Sequence, residues 1–149
     1  VSYEVFALPR PELGSGWYRF ATAAVGERSM RAAGGLVVTA DGGEELLADA
    51  SLIVIPGWRG ADAPVPEALQ EALRQAVRRG ARIATLCSGV FVPAAAGLLD
   101  GKRATTHWRY AEALGARHPL IAIDADVLYV DNGDILTAAG SAAGIDLCL

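Results

Sequence analysis

The stretch ARIATLCSGVFV, residues 81–92, decides the fold of this chain. Its apolar run Ile83–Leu86 predicts a buried strand. The run ends at Cys87, and the Ser88-Gly89 pair, followed by small and apolar residues, predicts a sharp turn and then a helix start. A strand, a turn and a helix in this order place one thiol at the turn.

Cys87 occupies a position that favours a reactive thiol. Backbone N–H groups at a helix start point toward such a position, and the helix dipole favours negative charge there. Both effects stabilise a thiolate, the reactive form of cysteine. The stretch is similar to the nucleophile elbow of hydrolases, with Cys87 in place of serine and Thr85 where that pattern has its first glycine. The alternative, that Cys87 is buried as a small hydrophobic residue, stays open at this point.

The composition excludes several classes of protein. The length of 149 residues suits one domain with a sizeable core. An apolar content of 52% and a charged content of 20% predict a globular chain. The net charge of −4, without a block of Lys and Arg, makes the chain a poor candidate for binding nucleic-acid phosphates directly. No apolar run is long enough to span a membrane.

The sequence contains few side chains that could bind a metal or a cofactor. Cys87 and Cys148 lie far apart without metal-ligand spacing, and with no signal peptide visible the default compartment is the reducing cytoplasm. No Gly-rich phosphate-binding pattern follows a strand, so no cofactor and no metal is expected. His118 lies in a predicted exposed loop. His107, if close to Cys87, would activate the thiol as a base or as an imidazolium partner, and a structural role is the alternative.

Strands that alternate with helices predict an α/β fold, a flavodoxin-like three-layer sandwich with a mostly parallel sheet. The Asn-Gly pair at 132–133 predicts a β-hairpin between strands at 122–130 and 135–138. The other predicted elements are strands at 17–25, 36–40 and 51–55, helices at 67–79 and 109–114, and a last helix with Ser141 as its N-cap.

The predicted site lies beyond the carboxyl ends of the parallel strands, where such sheets bind ligands. The strand at 51–55 ends in Pro56-Gly57-Trp58. If this strand neighbours the Cys87 strand, the backbone N–H groups of Gly57 and Trp58 would face the thiol as an oxyanion-type pocket; a plain loop start is the alternative. We expect a pocket between Cys87, Gly57 and His107. The candidate catalytic residues are Cys87 and His107, and the candidate ligand-binding residues are Gly57, Trp58, Cys87, Ser88 and His107.

Three of these features together resemble a known superfamily. The elbow at 85–89, the Pro56-Gly57 pair and the segment Ala104–His107 are similar to the ThiJ/PfpI superfamily, which has the class I glutamine-amidotransferase-like fold. More narrowly, nearly the whole chain resembles the N-terminal domain of AraC-family transcriptional regulators of the FtrA/GlxA type. The stretches that carry this narrower resemblance are Leu8–Arg10, Pro56–Arg59, Ala94–Trp108 and Thr137–Leu149.

The resemblance implies a sensor rather than a complete regulator. In such regulators this domain precedes two helix-turn-helix units that bind DNA, and it senses a small molecule or mediates dimerisation. It also implies one domain over 1–149, truncated at both ends, with a first strand expected before Val1. A Glu or Asp of the helix after that strand usually contacts the Cys, and Glu4 lies about two turns too late to match it.

Three functions follow as hypotheses. The first is a domain of a transcription regulator that senses an unidentified small molecule and forms a homodimer, with DNA bound only by a domain outside this chain. The second is a cysteine-dependent enzyme of the ThiJ/PfpI type, such as a hydratase, an amidase or a protease-like hydrolase. The third is a redox sensor that uses oxidation of Cys87.

Overall fold

The computed structural model describes residues 1–14, 17–31 and 33–149. The strands are β1 (Ser29–Arg31), β2 (Val37–Thr39), β3 (Leu52–Ile55), β4 (Arg82–Leu86), β5 (Arg103–Ala104), β6 (Ala122–Ile123), β7 (Tyr129–Asp131) and β8 (Ile135–Ala138). The α-helices are α1 (Glu67–Arg78), α2 (Phe91–Ala95), α3 (Trp108–Arg117) and α4 (Ser141–Cys148). A π-helical turn lies at Tyr3–Ala7, and 3₁₀ turns lie at Pro11–Leu13, Glu44–Ala48 and Cys87–Val90.

The central sheet has four strands in the order β3-β4-β8-β7. The first three are parallel, and β7 runs antiparallel to β8. Ile83 of β4 lies between Ile53 of β3 and Ile135 of β8, and these strands are mostly apolar because helices cover both faces of the sheet. The predicted hairpin at Asn132-Gly133 is confirmed, with Gly133 in the left-handed region at a φ of 87°.

Two hydrophobic clusters make the three predicted layers. One face of the sheet packs against α1, α2 and α3, and the other face packs against α4. The first cluster includes Ile53, Ile83, Ile135, Leu69, Leu73, Phe91 and Leu114. The second cluster consists of Leu86, Ala138 and Ala143, with Ala139 and Leu147 packed against it. The structure therefore confirms the α/β sandwich with a mostly parallel sheet.

Helix α1 sets the position at which β4 begins. Leu69, Leu73 and Ala76 recur at helical spacing and are all buried, which holds the helix on the sheet. Gly80 follows the helix with a φ of 91°, so the chain turns at once into β4. The sequence places these features correctly because each depends on local spacing.

The predicted strand at 17–25 is wrong. In this segment the structure contains only an isolated bridge between Ala23 and Gly42. The aromatic alternation that suggested a strand serves ring packing instead, since Tyr18 packs on Phe6 with ring centroids 4.9 Å apart. Alternation of side chains along the sequence does not by itself provide a neighbouring strand with which this segment could pair.

Three further boundaries need correction. The predicted strand at 122–130 is two strands, because β6 pairs with β5 in a separate two-stranded sheet. Helix α3 continues through Gly115 and ends before His118, the residue that precedes a proline and so disfavours helical geometry. Ser141 is the first helical residue of α4, Gly140 is the N-cap, and no side chain caps the helix.

Strands β1 and β2 form an antiparallel pair apart from the central sheet, here called the ribbon. All six of its strand residues are exposed. The ribbon covers no part of the hydrophobic clusters described above, so its strands are held mainly by each other.

Candidate functional site

The turn after β4 has the strand, turn and helix geometry that the sequence predicts. Cys87 begins a 3₁₀ turn that leads directly into α2. Its φ is 54°, and among the described residues it is the only non-glycine with a positive φ. Backbone in this region costs an L-residue roughly 1–3 kcal/mol, and it persists where the surroundings fix it, commonly at functional sites. We call residues 86–90 the elbow.

Gly89 allows the elbow to lie directly against the end of β3. A Cβ atom at this position would collide with the backbone carbonyl oxygen of Ile55. Gly89 is needed here for close approach, because a carbonyl group of a packed strand cannot move aside as a side chain can.

Ser88 joins the elbow to the loop after β3. Its Oγ accepts a hydrogen bond from the backbone N–H of Trp58 at 2.9 Å and donates one to the carbonyl oxygen of Trp58 at 3.0 Å. A Cβ on Gly57 would lie 3.6 Å from the same Oγ. The carboxyl ends of β3 and β4 are therefore neighbours, as the sequence suggested. The N–H of Trp58, however, binds Ser88 rather than facing the thiol.

Thr106 fixes the backbone of Cys87, a contact that the sequence analysis missed. Its Oγ1 donates a hydrogen bond of 2.7 Å to the carbonyl oxygen of Cys87. The neighbouring Thr105 is held in a similar way, because its backbone N–H donates a hydrogen bond of 2.9 Å to Oγ1 of Thr137. All three threonines are almost completely buried. Consecutive threonines before His107 were a usable signal, since buried hydroxyl groups require partners.

His107 lies one residue along the chain from the Thr106 contact and caps α3. Its Nδ1 accepts a hydrogen bond from the N–H of Arg109 at 3.3 Å. The ring is half-buried, with the centroid of Trp108 5.3 Å away and that of Tyr110 6.2 Å away. Because Nδ1 accepts, a neutral imidazole carries its proton on Nε2 and offers a donor there.

The two tryptophans that flank the elbow differ in exposure. Trp58 is half-buried, its indole N–H donates to the carbonyl oxygen of Ala63 at 3.2 Å, and the guanidinium of Arg59 lies 5.7 Å from its ring centroid. Trp108 is 78% exposed on the first turn of α3. The side chain of Trp58 is thus held in place beside Ser88, whereas that of Trp108 is exposed to solvent.

Two cavities lie away from the elbow. One, of about 360 Å³, is lined by residues that include Phe6, Arg82 and Cys148, and the other, of about 460 Å³, lies between Tyr3 and Val38. Neither is lined by a candidate site residue, so the expected pocket between Cys87, Gly57 and His107 is not one of these cavities. The candidate site is a half-buried thiol on the elbow.

Burial alters two titratable groups outside the elbow. It raises the pKa of the Cys148 thiol, because desolvation disfavours the thiolate. It lowers the pKa of His118, although the nearby carboxylate of Asp100 acts in the opposite direction.

Within the described parts of the chain, no cluster of three His, Cys, Asp or Glu side chains is arranged to hold a metal ion. In the same residues no helix has the length and apolar character to cross a bilayer.

Curated relatives include both regulators and an enzyme. The HTH-type transcriptional regulator CdhR of Pseudomonas aeruginosa is 37% identical over 119 residues, which are 79% of this chain and 35% of CdhR. The isonitrile hydratase of Pseudomonas putida is 38% identical over 100 residues, which are 66% of this chain and 42% of the enzyme. The chain therefore spans well under half the length of these relatives.

Solved structures with the same fold include regulators. A putative transcriptional regulator from Vibrio parahaemolyticus superposes with a TM-score of 0.86 at 19% identity, over 99% of this chain and 81% of that one. An AraC family transcriptional regulator from Pseudomonas putida has a TM-score of 0.76 at 21% identity, over 92% and 74% of the two chains. The family model described as the DJ-1/PfpI family matches residues 3–149. This chain, built around the Cys87 elbow, belongs to the DJ-1/PfpI family.

Proposed function

We propose that this chain is the small-molecule-sensing and dimerisation domain of an AraC-type transcriptional regulator in the cytoplasm. The regulators among its relatives support this proposal, as does the fact that the chain corresponds to 35% of CdhR. DNA contact would be made by a C-terminal domain of that longer protein, in keeping with the acidic charge of the residues here.

One observation carries the choice of sensing over catalysis. Two of the groups that would assist a nucleophilic thiol are already bonded within the protein. The N–H of Trp58, the proposed oxyanion donor, binds Ser88 Oγ, and Nδ1 of His107 binds the N–H of Arg109. In this arrangement neither the N–H of Trp58 nor Nδ1 of His107 is available to assist covalent catalysis at the thiol.

The proposed ligand site consists of Cys87, Ser88, Gly57, Trp58 and His107. A ligand there would meet the half-buried thiol, the half-buried indole of Trp58 and the Nε2–H donor of His107. One hydrogen-bond donor, one thiol and one aromatic side chain together suit a small molecule with a polar acceptor group and a short apolar part.

A screen of small polar metabolites by thermal shift tests the sensing role. A ligand should raise the melting temperature saturably, and NMR of the same mixture should show the compound unchanged after hours. Cys87→Ala should weaken this stabilisation, and Cys148→Ala, the matched control, should leave it intact. Steady consumption of the compound, lost in Cys87→Ala, would instead identify an enzyme.

The alternative is a cysteine-dependent enzyme, and two observations favour it. Cys87 holds the left-handed backbone of a nucleophile elbow, and isonitrile hydratase is a relative. Incubation with an alkyl isonitrile, followed by NMR for the N-alkyl formamide that addition of water would produce, decides between the two. Absence of product at micromolar protein over hours would remove this reaction from consideration.

The two cysteines should differ in reactivity. Burial raises the pKa of Cys148, so at pH 8 less of it is thiolate and its alkylation should be slow. We expect iodoacetamide to label Cys87 in the Cys148→Ala variant faster than Cys148 in Cys87→Ala, by about threefold or more. Equal rates in the folded proteins would remove the basis for a reactive thiol at the elbow.

A further inference from the structure

A cavity of about 460 Å³ lies between the π-helical turn at Tyr3–Ala7 and the ribbon, away from the elbow. Sites that bind small molecules have volumes of roughly 300–1,000 Å³, so this cavity is large enough for one. Three of the residues that line it are aromatic and one is an acid. The described residues of the lining are Tyr3, Ala7, Tyr18, Phe20, Thr22, Val38, Thr39 and Asp41.

The aromatic rings of the lining are held in place by packing. The rings of Tyr3 and Phe20 meet edge to face, with centroids 5.8 Å apart and planes at 87°. Tyr18 packs in the same manner on Phe6, which is only 7% exposed. The face of an aromatic ring carries partial negative charge and attracts a cation, and groups of such rings recognise alkylated ammonium ligands. The rings therefore favour an organic cation over an anion.

A carboxylate adds the charge that such a cation requires. Among the described residues that line the cavity, Asp41 is the only charged one. Its Oδ2 accepts hydrogen bonds from the backbone N–H and from the hydroxyl of Thr22, each at 2.7 Å. These bonds hold the carboxylate at the base of the ribbon, two residues after β2 ends, and they lower the pKa of Asp41. The side chain is therefore ionised at neutral pH.

The neighbouring cation, Arg28, leaves this carboxylate available to a ligand. The guanidinium of Arg28 donates to the backbone carbonyl oxygen of Asp41 and not to its side chain. The ion pairs within the described residues do not include Asp41. The two bonds from Thr22 are the main cause of the lowered pKa of Asp41, and the charge of Arg28 contributes least.

We infer that this cavity is a binding site for a small organic cation, whose alkylated ammonium group contacts the aromatic rings of the lining while Asp41 supplies the opposite charge. The rings select against anions, and the carboxylate distinguishes the cation from a neutral molecule of the same shape. The inference goes beyond the sensing role proposed for the elbow and does not depend on it, because the two sites share no residue.

Tetramethylammonium chloride is the probe, because it carries the proposed chemistry without other functional groups. In a ¹H–¹⁵N NMR titration at constant ionic strength, it should shift the amide signals of Thr22 and Asp41 saturably. tert-Butanol has nearly the same shape without charge, and pivalate has it with negative charge. Both should bind more weakly by about tenfold or more. Binding of tert-butanol as tight as that of tetramethylammonium, or no saturation by tetramethylammonium below about 0.1 M, would overturn the inference.

Two pairs of variants test the charge and the rings separately. Asp41→Asn should weaken binding of tetramethylammonium by about tenfold. Asp49→Asn, the matched control, removes the same charge from an exposed side chain outside the cavity and should leave the affinity unchanged. Phe20→Leu keeps an apolar side chain without an aromatic face and should weaken binding by about fivefold, and Phe20→Tyr should retain it. Unchanged affinity in Phe20→Leu would refute the role of the rings, even where Asp41→Asn loosens the ribbon.

Cys87→Ala distinguishes this site from the elbow. It should leave the affinity for tetramethylammonium unchanged, because Cys87 does not line the cavity. Loss of binding in Cys87→Ala, with binding retained in Asp41→Asn, would place the cation at the elbow and refute the inference. Failure of the sensing proposal has its own readout, the absence of metabolite-induced thermal stabilisation that depends on Cys87.

Discussion

The elbow and the ribbon are both short segments outside the long helices and strands, yet they are held in opposite ways. Two distant segments hold the elbow: Ile55 packs against it and Trp58 bonds to it from the end of β3 and the loop that follows, and Thr106 bonds to it from another part of the chain. The ribbon has one anchored end and exposed aliphatic side chains. The comparison teaches that a costly backbone geometry persists where contacts from distant segments fix it, whereas an exposed ribbon needs no such geometry.

The largest effect should come from Gly89→Ala, which breaks the elbow. Its Cβ would overlap the carbonyl oxygen of Ile55, and the free energy of unfolding should fall by about 3 kcal/mol or more. Urea denaturation measures it. The control is Gly115→Ala inside α3, where the nearest atom lies 3.7 Å from the added Cβ and the exchange should stabilise by up to about 1 kcal/mol. Equal effects of the two variants would refute the close-packing argument.

Thr106→Val should have the next largest effect. It leaves the carbonyl oxygen of Cys87 without its donor in a half-buried position, and we expect a loss of about 1–3 kcal/mol. Thr39→Val, a swap of the same shape on the exposed ribbon, should change stability by less than about 0.5 kcal/mol. If Thr39→Val proves as costly in thermal unfolding, the elbow is not held more firmly than the ribbon.

Cys87→Gly sharpens the comparison by removing strain. Glycine accepts a positive φ without steric cost, whereas alanine retains the Cβ clash. Cys87→Gly should therefore be more stable than Cys87→Ala by about 1 kcal/mol in urea titrations. The reverse order would show that the left-handed geometry at this position stores no strain.

The smallest effect concerns the base of the ribbon. Hydrogen bonds from the backbone and then the hydroxyl of Thr22 hold the pKa of Asp41 below its usual value. A carboxyl with a lowered folded pKa contributes stability above its unfolded pKa and loses that contribution as pH falls through the folded value. Thr22→Val should raise the pKa of Asp41 in an NMR titration, and Thr22→Ser should not. An unchanged pKa in Thr22→Val would show that the hydroxyl does not anchor the ribbon.

Features that depend on neighbouring residues along the chain were predictable. The β4 strand, the turn at Cys87, helix α1 with Gly80 and the hairpin at 132–133 all follow from local periodicity and turn chemistry. The strand predicted at 17–25 failed because alternation indicates two faces but not what each face meets.

The sequence by itself determined that this is an α/β chain with a thiol at a strand-to-helix turn. It also indicated that the loop after β3 could lie close to that thiol. Only the tertiary structure decided what that thiol meets. The bonds from Ser88 to Trp58 and from Thr106 to Cys87 join residues 30 and 19 positions apart. Strand order and register bring such pairs together, and no local pattern encodes them, because hydrogen bonds between distant segments form only when the sheet has assembled.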